Sequence, residues 1–413
     1  MPGRGDIPKK TPCSPEKISD MFIPGRIEVI GKHTDYCGGR SIVCAIDRGF
    51  HIETEPILSA EIKMENLDTG EKGSVPLVAD AIAEGPAWMH YVQTVARRTS
   101  VNFTSSDLRG VSVRFRSDLP QAAGLSSSSA LIIAVFSAVS AVNSLQTFPE
   151  YTENISDELD LADYLGCIEN GRPFGSFKGV PGVGTFGGSQ DHAAIIATRS
   201  NTLTRFAYSP VSREADFVFP ESLVFVVASS GVKAEKTAAA KEKYNRVSLM
   251  VSDLVSAWQG EDKTLASIIE SAGIDEVERF IRATPLAFPE EEMIERVRHF
   301  YSENYALIDQ FSELVNRGDF ERIGGLIDLS QRNAERYLRN QTEETIHLQR
   351  SARNLGAIAA SAFGAGFGGS VYALTTSEDA PKFSERWRAS YIDRFPVAAG
   401  LSEFFTARTS QLK

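Results

Sequence analysis

Between Val111 and Val142 the chain reads VSVRFRSDLPQAAGLSSSSALIIAVFSAVSAV, and this stretch restricts the possible folds more than any other. Val111, Val113 and Phe115 alternate with polar neighbours, the period of a half-buried strand. Asp118-Leu119-Pro120 breaks that strand. After Gly124-Leu125 come four serines, Ser126 to Ser129, and then Leu131, Ile132, Val135, Phe136, Val139 and Val142 on a helix that must be buried. Serine is a mediocre helix former, so four at the mouth of a buried helix need a reason. The first amides of a helix lack internal partners and carry positive partial charge. Glycine lets a ligand approach the backbone, and Gly124 to Ser129 therefore reads as an anion cradle. The hydroxyls add donors to phosphate oxygens and a ligand for magnesium. One serine would read as a helix cap; four in a row favour phosphate.

The rest of the chain is mixed α and β, an α+β pattern of two lobes. Its 413 residues suggest about two domains. RIEVI at Arg26 to Ile30 and SIVCAIDRGFHIET at Ser41 to Thr54 read as strands joined by a loop holding HTDYCGG. HAAIIAT, from His192, reads as a further strand, and LVFVVAS as a short buried one. The polar, proline-flanked segment from Pro210 to Pro220 suggests a junction, so the lobes are placed at 17–212 and 213–413 after a polar leader, 1–16. The second half is helix-rich: Leu307, Phe311 and Leu314 recur at helical spacing before Gly318. It closes on a glycine loop and strand, GAGFGGSVYAL.

Charge and cysteine content exclude several roles. Forty-three basic against 54 acidic residues leave a formal charge of −11, which argues against non-specific binding to nucleic acid or acidic membranes. The most apolar run, Ala130 to Val142, is too short to span a bilayer. Cys13, Cys37, Cys44 and Cys167 form no CxxC pair, as expected of a reduced, cytoplasmic protein. Familiar phosphate loops do not fit either. Gly25 and Gly31-Lys32-His33 miss the P-loop in spacing and in the final hydroxyl. GVGTFG at Gly182 and GAGFGG at Gly364 lack the strand-before, helix-after setting of a dinucleotide fingerprint.

Four segments together resemble a known family. PQAAGLSSSSA is similar to the second motif of the GHMP small-molecule kinases, and FGAGFGGS, Phe363 to Ser370, to their third. PGRIEVIGKHTDYCGG, Pro24 to Gly39, resembles the galactokinase signature, and GGSQDHAAI the segment that carries the galactokinase aspartate. Trp88 to Val92 and Tyr244-Asn245-Arg246 match further fragments. The resemblance covers nearly the whole chain after the leader. It implies the two-lobed GHMP fold, with a ribosomal-protein-S5-domain-2-like N-terminal lobe, a ferredoxin-like C-terminal lobe and the active site between them. It also implies transfer of a phosphoryl group from ATP, with Mg²⁺, to the anomeric hydroxyl of a sugar, galactose first.

The same resemblance assigns roles. Asp191 faces the sugar's anomeric hydroxyl, and Arg26 beside it keeps the carboxylate ionised. Gly124, Leu125 and Ser126 to Ser129 hold ATP, Trp88 flanks the adenine, and Ser128 with Glu169 takes the magnesium. Lys32, His33, Asp35, Tyr36, Gly188 and Tyr244 line the sugar pocket. Two positions depart from the family: Glu28 stands where galactokinases carry Asn, and Lys32 where they carry an acid that accepts from the sugar's C6 hydroxyl. A lysine has donors only. It would donate to a hydroxyl, pair with a uronic acid, or merely neutralise Glu28, and inspection leaves the three open. A non-catalytic sugar sensor and a mevalonate- or homoserine-type kinase are disfavoured by the full serine loop and by HTDYCGG respectively. No motif speaks to oligomeric state.

Overall fold

The computed structural model describes residues 19–120, 124–232 and 238–413; the leader 1–16 and the stretch 121–123 of the serine-loop motif lie outside them. Among the described residues twelve strands form two sheets. The strands are β1 (Ser19–Ile30), β2 (Arg40–Ile57), β3 (Glu61–Asn66), β4 (Lys72–Pro76), β5 (Gly110–Ser117), β6 (Thr202–Ala207), β7 (Ser212–Val218), β8 (Leu223–Ser229), β9 (Ala359–Ala362), β10 (Ser370–Thr376), β11 (Glu403–Ala407) and β12 (Thr409–Ser410). The first sheet has eight strands in the order β4-β3-β5-β2-β6-β7, with β1 and β12 also pairing on β2. The second is β11-β8-β10-β9, antiparallel throughout.

β2 organises the first lobe because it is long and rich in β-branched and aromatic residues. It pairs with β1 along most of its length, with β5 through Phe50–Ile57 and with β6 through Arg40–Val43. On this sheet lies the serine helix, Ser127–Asn143, against β1, β2 and β5, with helices Met89–Asn102, Glu158–Asn170 and Gln190–Ala197 around it. Enclosed on every side, it buries Leu131 to Phe136 as a continuous run. Each such Leu, Ile or Val side chain stabilises the fold by about 1.5–3 kcal/mol relative to exposure.

β8 explains its own sequence. Phe225 and Val227 join the main core, while Val224, Val226 and Ala228 face a separate core with Trp387 and Tyr391. A strand buried on both faces reads as an unbroken apolar run.

Two sequence expectations are corrected. HAAIIAT is not a strand: Gln190–Ala197 is an α-helix wedged between the sheet and the helix Glu158–Asn170. Its run is apolar because it is buried all round, which erases helical periodicity, and alanines at 193, 194 and 197 favour the helix. The segment Pro210 to Pro220 is not a plain linker throughout, because within it Ser212–Val218 is β7, pairing with β6. Its prolines flank an edge strand rather than interrupt one. The sheets therefore divide between β7 and β8, and β12 returns the chain's end to the first sheet. No helix among the described residues is long and apolar enough to cross a membrane.

Candidate active site

A cleft of about 990 Å³ opens where the serine helix, β1, the HTDY loop and the glycine loop before β10 meet. Small-molecule sites commonly fall between about 300 and 1,000 Å³, so this one has room for two ligands side by side.

At its centre Arg26 on β1 meets Asp191 on the first turn of its helix. Nε and Nη2 of the guanidinium both lie 2.7 Å from Asp191 Oδ1, and Nη1 donates to the carbonyl of Gly124 at 2.7 Å. Enclosure in the cleft pushes the Asp191 carboxyl up, but Arg26, Ser126 and His192 together more than offset this and hold the group below the usual carboxylate range. Asp191 is thus an ionised acceptor, 30 % exposed to the cleft.

The phosphate end is built on the serine helix. Ser126 precedes it in the left-handed region (φ 62°, ψ 35°), and its own side chain makes no capping hydrogen bond; the first turn of a helix presents amides that lack intrahelical partners. Gly124 and Ser126 to Ser129 line the cleft; Leu125 does not, being 1 % exposed and turned into the core. Gly364 closes on this loop from the second lobe at φ +76°. A Cβ there would lie 3.0 Å from the Gly124 carbonyl and 3.4 Å from Arg26 Nη2. Ser129 donates to Glu169, with Oγ 2.7 Å from Oε2. Glu169 stands in the last turn of Glu158–Asn170, a helix capped by Asp157 and ended by Gly171 at φ 86°. Ser128 and Glu169 both line the cleft. Among the described residues no cluster of three or more His, Cys, Asp or Glu is arranged to hold a metal alone. Magnesium, which keeps few protein ligands and many phosphate or water oxygens, is compatible with such a sparse donor set. Trp88 lines the far end, its Nε1 donating to Glu71 at 3.0 Å and its ring edge-on to Phe115 at 5.4 Å.

The sugar end is assembled from distant segments. Gly188 donates its N–H to Asp35 Oδ2 at 3.0 Å, and a Cβ at 188 would meet that oxygen at 2.6 Å, so only glycine fits. Burial raises the Asp35 carboxyl, opposed by the amides of Tyr36, Gln190 and Gly188. Burial, then Arg296, pushes His33 down to about 3, so its ring is neutral. Asn340 donates to Nε2 (3.2 Å), which leaves the proton on Nδ1, 3.0 Å from the Tyr36 hydroxyl. Tyr244 packs on His33 with ring centroids 5.8 Å apart. Sequence reasoning missed Arg296, 2 % exposed, which donates to the His33 carbonyl (2.6 Å) and the Tyr36 hydroxyl (3.1 Å) and so fixes the HTDY loop. Nothing local marks it among the many arginines of the helical half. It also missed His192, 1 % exposed beside Glu169.

Lys32, like Leu125, is an expected site residue that the structure keeps from the cleft. It is 2 % exposed, and its Nζ donates to Ser330 (2.8 Å) and Ser361 (2.7 Å) of the second lobe. Burial lowers its pKa, opposed by Glu303, Glu28 and Glu335. The lysine pins lobe to lobe, while Glu28 lines the cleft.

An uncapped helix N-terminus facing an ion-paired carboxylate across one cleft is the layout of a small-molecule kinase. Residues 90–176 match the GHMP kinases N terminal domain, residues 311–393 the GHMP kinases C terminal domain, and residues 21–56 the galactokinase galactose-binding signature. The chain belongs to the GHMP kinases, on their galactokinase-like branch. It is 27 % identical to the galactokinase of Thermococcus kodakarensis over 391 residues, covering 95 % of this chain and 98 % of that protein. It is 26 % identical to that of Lacticaseibacillus casei, covering 91 % and 89 %. In fold it is similar to Lactococcus lactis galactokinase complexed with galactose (TM-score 0.70, 20 % identity, 95 % and 94 % covered). It is also similar to Methanococcus jannaschii mevalonate kinase (TM-score 0.59, 15 % identity, 95 % and 98 % covered).

Proposed function

We propose that this protein transfers the terminal phosphoryl group of ATP to the anomeric C1 hydroxyl of a monosaccharide, galactose first. The observation that carries the reading is the Arg26–Asp191 pair set between the serine helix and the HTDY loop in a single cleft. Phosphoryl transfer asks the protein for positioning and charge stabilisation more than for covalent chemistry. Asp191, ionised and aimed into the cleft, aligns the attacking hydroxyl and accepts its proton as the bond to phosphorus forms. Arg26 holds that carboxylate and lends positive charge to the transferring group. The serine helix receives the phosphates on the amides of its first turn. Magnesium at Ser128 and Glu169 would neutralise phosphate charge. Trp88 offers its face to the base, and Asp35, the Gly188 backbone and Tyr244 grip the sugar in a wall shaped by His33 and Tyr36.

Supporting the galactose reading are the galactose-binding signature over 21–56 and the galactokinases similar along the whole chain. The uronic-acid reading rested on Lys32, whose ammonium is engaged elsewhere. Free thiols at Cys37, Cys44 and Cys167 support a reducing, cytoplasmic setting. The test is ATP turnover with magnesium against galactose and other hexoses, with Asp191→Asn alongside. Turnover on galactose lost in the variant is the expected result; turnover undiminished in the variant, or none on any hexose, would overturn it.

A further inference from the structure

The sugar end of the cleft holds a carboxyl with one oxygen that no described residue satisfies. Glu28 lies on β1 two residues beyond Arg26, is 2 % exposed, and lines the cleft. Its Oε1 is shut off from water and finds no hydrogen-bond partner among the described residues. Buried polar atoms are almost always partnered, and an orphan on a ligand-binding wall is a place where the ligand supplies the missing group. The neighbouring charges cannot supply it. Arg26 commits its guanidinium to Asp191 and the Gly124 carbonyl, and Lys32 donates to Ser330 and Ser361. Asp35 and Asp191 are acceptors, and the Tyr208 and Tyr372 hydroxyls bond to Ser41 and the Val29 carbonyl.

Resting on the sugar-kinase reading, we infer that Glu28 is a specificity-determining residue whose carboxyl accepts a hydroxyl of the bound monosaccharide and makes the cleft select neutral sugars over hexuronates. A neutral sugar brings hydroxyl donors to that wall. A uronate brings a carboxylate, an acceptor only, to a wall that already holds Glu28, Asp35 and Asp191. Of the described cations beside Glu28, Lys32 is turned into the second lobe and Arg26 is committed to Asp191. Selectivity then comes from an attraction for one substrate and a repulsion against the other. The raised pKa of Glu28, about 7, fits a carboxyl kept without partners until the sugar arrives.

The experiment is steady-state kinetics of the full chain on galactose and galacturonate for wild type, Glu28→Gln and Glu28→Leu, with thermal melts to confirm folding. In Glu28→Leu the KM for galactose rises about tenfold while kcat falls less than about threefold, the pattern of lost ground-state binding. Glu28→Gln, which keeps an acceptor and adds a donor, recovers most of that KM and narrows the preference for galactose over galacturonate at least about tenfold. An unchanged KM in a folded Glu28→Leu, or a wild type that uses both sugars equally well, overturns the inference and leaves the kinase reading intact. A wild type inactive on all neutral hexoses overturns both. Should Glu28→Leu fail to fold, the preference measured in Glu28→Gln decides, and an unaltered preference refutes the inference.

Discussion

The two ends of the cleft are built in opposite ways. The phosphate end comes mostly from one continuous stretch, Gly124 and Ser126 to Ser129, with Glu169 reaching in from another helix and Gly364 closing on it from the second lobe. The sugar end is gathered from β1, the HTDY loop, Gly188, Tyr244 and the second lobe's Asn340, and is held by the remote Arg296. A helix N-terminus binds anions wherever it is placed, because the donors belong to the backbone. A sugar site has no such ready-made unit and depends on tertiary structure at every contact. The phosphate end should therefore tolerate substitution of single serines better than the sugar end tolerates a shift of its supports.

Where the ends meet, the largest effect is expected. Asp191→Asn keeps the shape but loses the charged acceptor, and kcat should fall about 10²–10⁴-fold. The sugar KM should change little; a large rise would mean that Asp191 belongs to the sugar end instead. Arg26→Met sharpens the point through pH. With the cation gone, only Ser126 and His192 still oppose burial at Asp191, and its pKa rises. The acid limb of kcat/KM then moves upward from its position below the usual carboxylate range. A limb that stays in place would show that Arg26 does not set the ionisation of Asp191.

Gly188→Ala tests the sugar end by itself. The new Cβ would sit 2.6 Å from Asp35 Oδ2, so the carboxylate must move. Misplacement on this scale costs up to about 100-fold, and a 10–100-fold rise in sugar KM is expected. The KM for ATP should hold, since the serine helix is not touched. Equal rises in both would contradict the separation of the two ends.

How much of this was legible follows from the same contrast. The serine loop, the HTDY run and the aspartate segment are each contiguous, so the first could be read as a phosphate cradle from its own residues and the other two through their resemblance to galactokinase segments. What failed was whatever depended on surroundings. HAAIIAT lost its helical period because it is enclosed on all sides. Leu125 and Lys32 sit inside motif runs yet point away from the cleft, since a motif fixes the backbone path and not the direction of each side chain. Arg296 joins the site only through the packing of its helix against the HTDY loop. Glu28 was visible as a departure from the family, but its missing partner was not.

Lys32→Met separates a lobe pin from a sugar contact. The variant loses two buried hydrogen bonds to Ser330 and Ser361, and denaturant unfolding should show about 1–3 kcal/mol less stability. The ratio of galactose to galacturonate turnover should not move. A changed ratio at unchanged stability would return Lys32 to the sugar.

The smallest effect concerns what Glu28 costs the fold. Burial, opposed by Arg26 and Lys32, raises its carboxyl from an ordinary 4.5 to about 7. Between those values the native state binds more protons at this site than the unfolded state does, so stability falls as pH rises from about 4.5 to about 7 and stays lower above. Glu28→Gln removes the titration. It should match wild type near pH 4.5 and exceed it by about 1–3 kcal/mol at pH 8, measured by urea unfolding across the range. Added galactose should shrink the difference, because a hydroxyl donated to the carboxylate favours its charged form. A difference that is flat with pH would mean that Glu28 is already satisfied in the free protein, and the sugar end would then be as self-contained as the phosphate end.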